Sequence, residues 1–260
     1  MRSFRFLFLS AVLAIISVSI YGEIDSRISA YVWSYPHTVA KAAISPLDWQ
    51  ARDWLKAGGV VLITGSLYLL DEEIRDLVQR NRTEFGDGVA DGFRRFGESW
   101  TVPALAGTAL LGYLGDSEKL FDTGMLGLKS VILARSVTGG LKLLSQRNRP
   151  FRELGNQFWD EGKLSGDRDS FPSGHTTMVW AIAPVLAEQF SELKWVKPVL
   201  YSCATLTSLS RINDDKHWAS DVFFGFVVGY VTAELTLADS PRFFVAPDPG
   251  LQGLVLQYRF

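Results

Sequence analysis

Five apolar stretches without a charged residue set the terms on which this chain folds: Ala57–Leu70, Trp100–Gly115, Thr176–Ala187, Pro198–Ser210 and Val222–Ala233. Each is roughly 12 to 16 residues long, whereas a helix that crosses a membrane needs about 20 apolar residues. As they stand, they read equally well as core helices of a compact bundle and as segments in contact with lipid. Charged stretches of helical period lie between them. In Asp71-Glu72-Glu73-Ile74-Arg75, the apolar Ile74, Leu77 and Val78 recur beside charges, which is the pattern of a solvated helix face. A longer segment from Glu118 to about Ser145 carries Leu126, Val131, Leu133, Val137 and Leu141, and Gly139-Gly140 is its weak point. It reads as a helix that delivers Lys142 near its end. A loop rich in Arg, Asp, Gly and Pro follows, from Arg147 to Ser173.

The two ends of the chain have other patterns. Arg2 and Arg5 precede an apolar stretch from Phe6 to Ile16, and Ser17-Val18-Ser19 has the small-x-small form that a signal peptidase accepts. Residues 1–22 therefore read as an export signal, or as an uncleaved anchor, since the apolar stretch continues through Ile20 and Tyr21. Either reading sends the rest of the chain to a cell-envelope space such as a bacterial periplasm. Residues 23–45 form a polar and aromatic segment ending at Ser45-Pro46, a cap serine before a proline suited to a first helical turn. Residues 46–239 read as the helical domain. In 240–260 the period changes: Leu254, Leu256, Tyr258 and Phe260 alternate with Gln257 and Arg259, and Pro247-Asp248-Pro249-Gly250 separates them from Phe243–Ala246. That is a β-hairpin pattern.

Composition narrows the partners. With 26 Lys and Arg against 28 Asp and Glu, the chain has no positive field to hold a nucleic-acid backbone. Cys203, alone, forms no intrachain disulfide and lacks the companions of a zinc site, so it reads as a small buried apolar residue. Only three histidines occur, His37, His175 and His217, and two of them fall where the rest of the chemistry gathers.

Three short segments carry that chemistry. In Lys142-Leu-Leu-Ser-Gln-Arg-Asn-Arg149-Pro150, seven positions separate Lys142 from Arg149, nearly two helical turns, so both cations project to one side. Two cations aimed together are costly without an anion between them. Phe171-Pro172-Ser173-Gly174-His175-Thr176 opens an apolar helix with a hydroxyl and a glycine, a geometry in which backbone N–H groups and the positive helix end cradle an oxyanion. Ser210-Arg211-Ile-Asn-Asp-Asp-Lys-His217-Trp-Ala-Ser-Asp221 places a carboxylate at i+4 from a histidine, where it accepts a proton from one ring nitrogen and leaves the other as a nucleophile. Taken singly, each also fits a plainer role: a basic helix end, a helix cap, an exposed helix start. Around them, Asp214, Asp215 and Lys216 read as solvated loop charges, Trp218 as a buried aromatic under the site, and His37 as structural.

Together the segments resemble the type 2 phosphatidic acid phosphatase superfamily, which also contains bacterial acid phosphatases and vanadium haloperoxidases. Its signature, K-x6-RP, then PSGH, then SR-x5-H-x3-D, is matched here in all three parts without a substitution. The resemblance implies an all-α helical bundle with the site at helix ends, followed in this chain by the short C-terminal hairpin. It implies that His217 attacks phosphorus to form a phosphohistidine while Asp221 orients its ring. Lys142, Arg149 and Arg211 would bind the phosphate oxygens, with hydrogen bonds from Ser173 and the N–H of Gly174. His175 would protonate the leaving oxygen and later activate water. No metal and no other cofactor is called for, because the cations and the helix end supply the positive charge. The expected substrate is a lipid phosphate of the envelope, such as phosphatidic acid, phosphatidylglycerophosphate or an isoprenyl diphosphate, reached from the membrane. The alternatives are a soluble periplasmic acid phosphatase acting on small phosphate esters, a haloperoxidase holding vanadate on the same residues, and a catalytically silent envelope protein.

Overall fold

Four of the five apolar runs become helices longer than the run that seeded them, because polar residues at either end join the helix. A computed structural model describes residues 26–157, 159, 169–239, 243–247 and 254–258; the expected export signal, residues 1–22, lies outside the described residues. The helices are α1 (Ser26–Ile44), α2 (Ala51–Arg80), α3 (Glu84–Arg94), α4 (Thr101–Leu114), α5 (Glu118–Ser145), α6 (Gly174–Gln189), α7 (Val196–Asn213) and α8 (Ala219–Ala238). Two strands follow, β1 (Phe243–Pro247) and β2 (Leu254–Tyr258). They pair antiparallel, with Phe243 opposite Tyr258 and Pro247 opposite Leu254, which is the expected hairpin; its turn residues lie outside the described ones.

The chain divides into two compact units. One, Ala42–Ala238, holds the helices from α2 to α8. The other contains most of α1 and the two strands. Within this second unit His37 Nδ1 lies 2.7 Å from Asp239 Oδ1, in keeping with a structural histidine.

Two expectations about helix ends need correction. The segment before Ser45 is helical, and Ser45-Pro46 does not open the next α-helix. It starts a 3-10 turn, Ser45–Asp48, while the Ser45 hydroxyl donates back to the Ala42 carbonyl at 3.0 Å. The start of α2 is instead fixed by Gln50 and Asp53, whose side chains each bond the other residue's backbone N–H in a capping box. At the other end of the helical unit, the run Val222–Ala233 is extended on both sides to the 20 residues of α8. Among the described residues, α8 is the one helix long and apolar enough to cross a membrane by length and composition.

Helix α6 is the centre of the unit, packed against α5, α7 and α8. One side buries Met178 and Ala181 with Leu105 of α4 and Val131 and Ala134 of α5. The other buries Val179, Trp180 and Ala183 with Ala204 of α7, closed by Phe226 and Tyr230 of α8. Small residues let α6 and α8 cross closely: a Cβ on Gly229 would stand 2.4 Å from the Thr177 carbonyl oxygen, which real side chains do not tolerate. That close crossing brings the first turn of α6 beside the first turn of α8, where the Ser173 N–H donates to the Asp221 carbonyl at 3.0 Å.

Candidate active site

The three segments singled out in the sequence meet at one end of the bundle. The last turn of α5 supplies Lys142, and the chain then leaves through Gln146, whose left-handed backbone (φ 45°) ends the helix. Lys142 reaches across to α6, so that a Cβ built on Gly174 would meet the Lys142 Cε at 3.9 Å. Arg149 lies just beyond, at the start of a 3-10 turn, Pro150–Arg152. Ser173 is fully buried at the N-terminus of α6 and makes no side-chain cap bond to the helix, so the N–H groups of that first turn are left for a ligand. Arg211 comes from the last turn of α7 and His217 from the loop into α8.

The arrangement is electropositive. Lys142 and Arg149 converge on Asp169: Arg149 donates from Nε and Nη2 to Asp169 Oδ1 at 3.1 and 2.7 Å. Lys142 bonds the Asp169 carbonyl and stands 3.8 Å from its Oδ2. Burial pushes the Lys142 ammonium down to about 8, with Asp169 opposing the shift and Arg149 adding to it. Arg211 is buried and donates to Asp214, yet its Nε is a buried donor with no hydrogen-bond partner. A buried guanidinium nitrogen left open at the rim of a cationic site is the feature an anion would complete.

Both histidines sit in this field. His217 is buried, and burial pushes it down to about 3; Arg149 and Lys142 act in the same direction while Asp221 opposes. The half-buried His175 is also pushed down to about 3, by burial first and then by Arg211, Arg149, Arg135 and Lys142. Arg135, two turns before Lys142 on α5, is thus a further cation near the site that no motif pointed to. The nearest partner of His217 Nδ1 is the Ser170 carbonyl oxygen at 2.8 Å. A carbonyl only accepts, so Nδ1 carries the proton and Nε2 keeps its lone pair. Asp221 Oδ2 is farther from Nδ1, at 3.8 Å, and takes hydrogen bonds from the Ser170 hydroxyl at 2.5 Å and the Trp218 N–H at 2.9 Å. Asp221 therefore braces the segment that holds the ring, and Ser170 joins the expected residues as the direct partner.

Behind Asp221 lies a buried ionic cluster that sequence reasoning missed. Arg147 donates from Nη1 to Asp221 Oδ1 at 2.6 Å and to the Ser220 hydroxyl at 2.8 Å, and from Nη2 to Asp71 Oδ2 at 2.7 Å. Asp71 also accepts from the Ser220 N–H and hydroxyl. The faces of Tyr68, Trp159 and Trp218 lie 4.9, 5.3 and 5.5 Å from the guanidinium carbon, a cation–π enclosure for a charge withdrawn from water. The expectation that the Asp71–Arg75 stretch is a solvated helix face holds for Glu72 and Glu73, which are exposed, and fails for Asp71 and Arg75. Asp71, Arg75 and Gln79, one turn apart, form a polar stripe docked on the catalytic loops. Arg75 makes two 2.7 Å bonds to the Asp215 carboxylate, and Gln79 donates to the carbonyls of Ile212 and Asn213.

Of the loop charges, Asp214 holds Arg211 and Asp215 holds Arg75, so these two are engaged rather than solvated, while Lys216 is exposed as expected, its ammonium 4.4 Å from the Phe151 ring centre. Trp218 is the expected buried aromatic under the site and donates to the Asn148 carbonyl at 2.9 Å. Gly97 packs so closely on His175 that a Cβ there would lie 2.8 Å from the His175 Cβ. Cys203, half-buried, is a free thiol.

Comparison with known proteins agrees with the resemblance drawn from the motifs. Residues 124–244 match the PAP2 superfamily. The chain is 27% identical over 207 residues to the lipid A 1-phosphatase of Porphyromonas gingivalis, covering 77% of this chain and 41% of that protein. It is 32% identical over 84 residues to the acid phosphatase of Zymomonas mobilis, covering 32% of this chain and 31% of the relative. The chain thus spans well under half the length of either. Among solved structures, Aquifex aeolicus LpxE superposes with a TM-score of 0.51 at 25% identity, over 65% of this chain and 95% of that one. A transmembrane PAP2 type phosphatidylglycerolphosphate phosphatase from Bacillus subtilis does so with a TM-score of 0.54 at 24% identity, over 69% and 93%; this second likeness concerns the fold.

Proposed function

Because residues 124–244 belong to the PAP2 superfamily, we propose that this chain is a phosphatase that hydrolyses a phosphomonoester or diphosphate of an envelope lipid through a phosphohistidine on His217. The observation that carries the reading is the convergence of Lys142, Arg149 and Arg211 around two histidines, with the Arg211 Nε still unpartnered.

Phosphate would replace the Asp169 carboxylate between Lys142 and Arg149 and take up the open nitrogen of Arg211. The Ser173 hydroxyl and the N–H of Gly174 at the start of α6 complete the cradle. Once Asp169 is displaced, the cations and N–H groups are already in place to stabilise the equatorial oxygens of the transition state. Nε2 of His217 forms the bond to phosphorus as the bond to the leaving oxygen breaks, and His175 gives that oxygen its proton. A neutral His175 is a poor acid until substrate binds; the phosphate dianion then offsets the surrounding cations and raises its proton affinity. In the second half His175 takes a proton from water, the oxygen attacks phosphorus, the bond to His217 breaks and inorganic phosphate leaves.

Membrane association is supported by the apolar surface. Leu55, Val61, Leu62 and Leu69 on α2, Leu111 and Leu114 on α4, and Leu144 on α5 are all more than three-fifths exposed, an extent of apolar surface unusual for a protein free in water. With α8 able to span, the site is proposed to lie at the membrane boundary on the periplasmic side. The short match to an acid phosphatase favours a second reading, a soluble enzyme for small phosphate esters. Phosphate release by the detergent-purified full chain from phosphatidic acid, phosphatidylglycerophosphate, an isoprenyl diphosphate and p-nitrophenyl phosphate distinguishes them. Preference for a lipid supports the first reading, and preference for the small ester with full solubility in the absence of detergent supports the second.

A further inference from the structure

A groove of about 430 Å³ opens between α4, α6 and α7, lined by Phe96, Trp100, Ala104, Leu186, Phe190 and Leu200 among others, a size typical of small-molecule sites. Its near end lies beside the site. Val179, one helical turn from His175, lies in its wall, and Phe96 precedes Gly97, the residue packed directly on the His175 Cβ. Its far end is Phe190, so the α6 wall runs from Val179 for about 16 Å at about 1.5 Å per residue.

The lining is almost wholly apolar and offers little to a polar ligand. The three threonines on it donate their hydroxyls to backbone carbonyls three or four residues earlier: Thr101 to Glu98 at 2.8 Å, Thr108 to Ala104 at 2.9 Å and Thr123 to Lys119 at 2.6 Å. No charged side chain lines it. A sugar or peptide would lose its hydrogen bonds to water there without replacement, whereas a hydrocarbon chain loses none.

We propose that this groove binds the hydrocarbon chain of the substrate's leaving group. In an in-line displacement the leaving oxygen stands opposite the attacking Nε2 of His217, on the side of its acid, His175. Whatever is attached to that oxygen on the His175 side lies next to Phe96 and Val179, where the groove begins. The inference rests on the lipid-phosphatase reading and deepens it: the phosphate cradle supplies the chemistry common to all phosphate esters, and the groove supplies preference for those with long apolar chains.

The test fills the groove without touching the phosphate site. Ala104→Trp and, one turn farther on, Thr108→Trp place an indole in it from partly exposed positions of α4. Hydrolysis of dipalmitoyl phosphatidic acid, dihexanoyl phosphatidic acid and p-nitrophenyl phosphate is compared in the detergent-purified full chain. A single methylene lost from an apolar pocket is worth about 10- to 200-fold, so kcat/KM on the dipalmitoyl lipid should fall at least about tenfold in either variant. Activity on p-nitrophenyl phosphate, which also reports that the variant is folded, should stay within about twofold. Should one variant fail on p-nitrophenyl phosphate as well, the other decides. An equal change on all three substrates in both variants, or unchanged activity on the dipalmitoyl lipid in a variant that keeps p-nitrophenyl phosphate activity, overturns the groove while leaving the lipid reading intact. A wild-type chain that hydrolyses p-nitrophenyl phosphate and neither lipid overturns the lipid reading and the groove with it.

Discussion

Arg147 and Asp221 face each other at 2.6 Å with neither side chain more than 1% exposed, and the other guanidinium nitrogen of Arg147 carries the link to Asp71 on α2. One buried cation thus neutralises two buried carboxylates from helices far apart in the chain. It fixes the carboxylate that braces Ser170, whose carbonyl in turn holds the His217 ring. Removing one partner of such a cluster leaves the others charged and unpaired, a loss of about 3 to 5 kcal/mol.

Arg147→Ala is therefore expected to lower unfolding free energy by about that amount, and Asp71→Asn to cost less, since an amide keeps the shape and one acceptor. Denaturant unfolding of the detergent-purified protein measures both. A change under about 1 kcal/mol for Arg147→Ala, the size of a surface pair, would refute the role given to this cluster.

The two histidines separate by leaving group. His217→Ala is expected to remove turnover of every ester. His175→Ala should slow an alkyl phosphate by about 100-fold or more and slow p-nitrophenyl phosphate far less, because nitrophenolate needs no proton to leave. Equal losses on both esters would show that His175 is not the leaving-group acid.

The alkaline side of the pH profile reports Lys142. Burial lowers its folded value to about 8, so the cation is present below that pH and lost above it. The kcat/KM of the wild type should fall as pH rises through about 8. Lys142→Arg keeps its charge to a pH above about 12, and in that variant the fall should move to higher pH even if the activity is lower throughout. A limb that stays in place in Lys142→Arg assigns it to another group.

Because fixed cations and a helix end supply the positive charge, hydrolysis is expected to continue in excess chelator. Vanadate, which adopts the pentacoordinate geometry of the transition state, should inhibit. Activity abolished by chelation and restored by magnesium would contradict the charge arrangement described.

Much of the site was legible because phosphate chemistry writes itself into short segments. Lys142 and Arg149 fall in one short segment, Ser173, Gly174 and His175 in a second, and Arg211, His217 and Asp221 in a third, so each set was legible together; the helical spacing expected of Lys142 and Arg149 did not hold, since α5 ends at Ser145 and Arg149 reaches the site from the turn beyond it. The helical bundle followed from period and the terminal hairpin from the change of period. What could not be read were partners joined only by the fold. Asp71 lies 76 positions from Arg147, and its acidic neighbours gave it the look of a solvated face. The i, i+4, i+8 recurrence of Asp71, Arg75 and Gln79 at the end of an apolar run was the available signal. Ser170 acts through its backbone carbonyl, which no side-chain pattern encodes, and Gly97 matters only because α6 passes close to it. The true reach of α8 was hidden because the apolar run stops at Ala233 while the helix continues through Glu234, whose exposed side chain breaks the run without breaking the helix.

The reaction proposed here passes through a covalent phosphate on Nε2 of His217. Rapid quenching of the full chain during turnover of a radiolabelled phosphate ester, followed by separation under alkaline and acidic conditions, tests it directly. The expected result is a protein-bound phosphate that survives alkali, is lost in acid, maps to the peptide containing His217 and is absent from His217→Ala. Labelled protein in His217→Ala, or turnover by that variant at a rate near the wild type's, would contradict it.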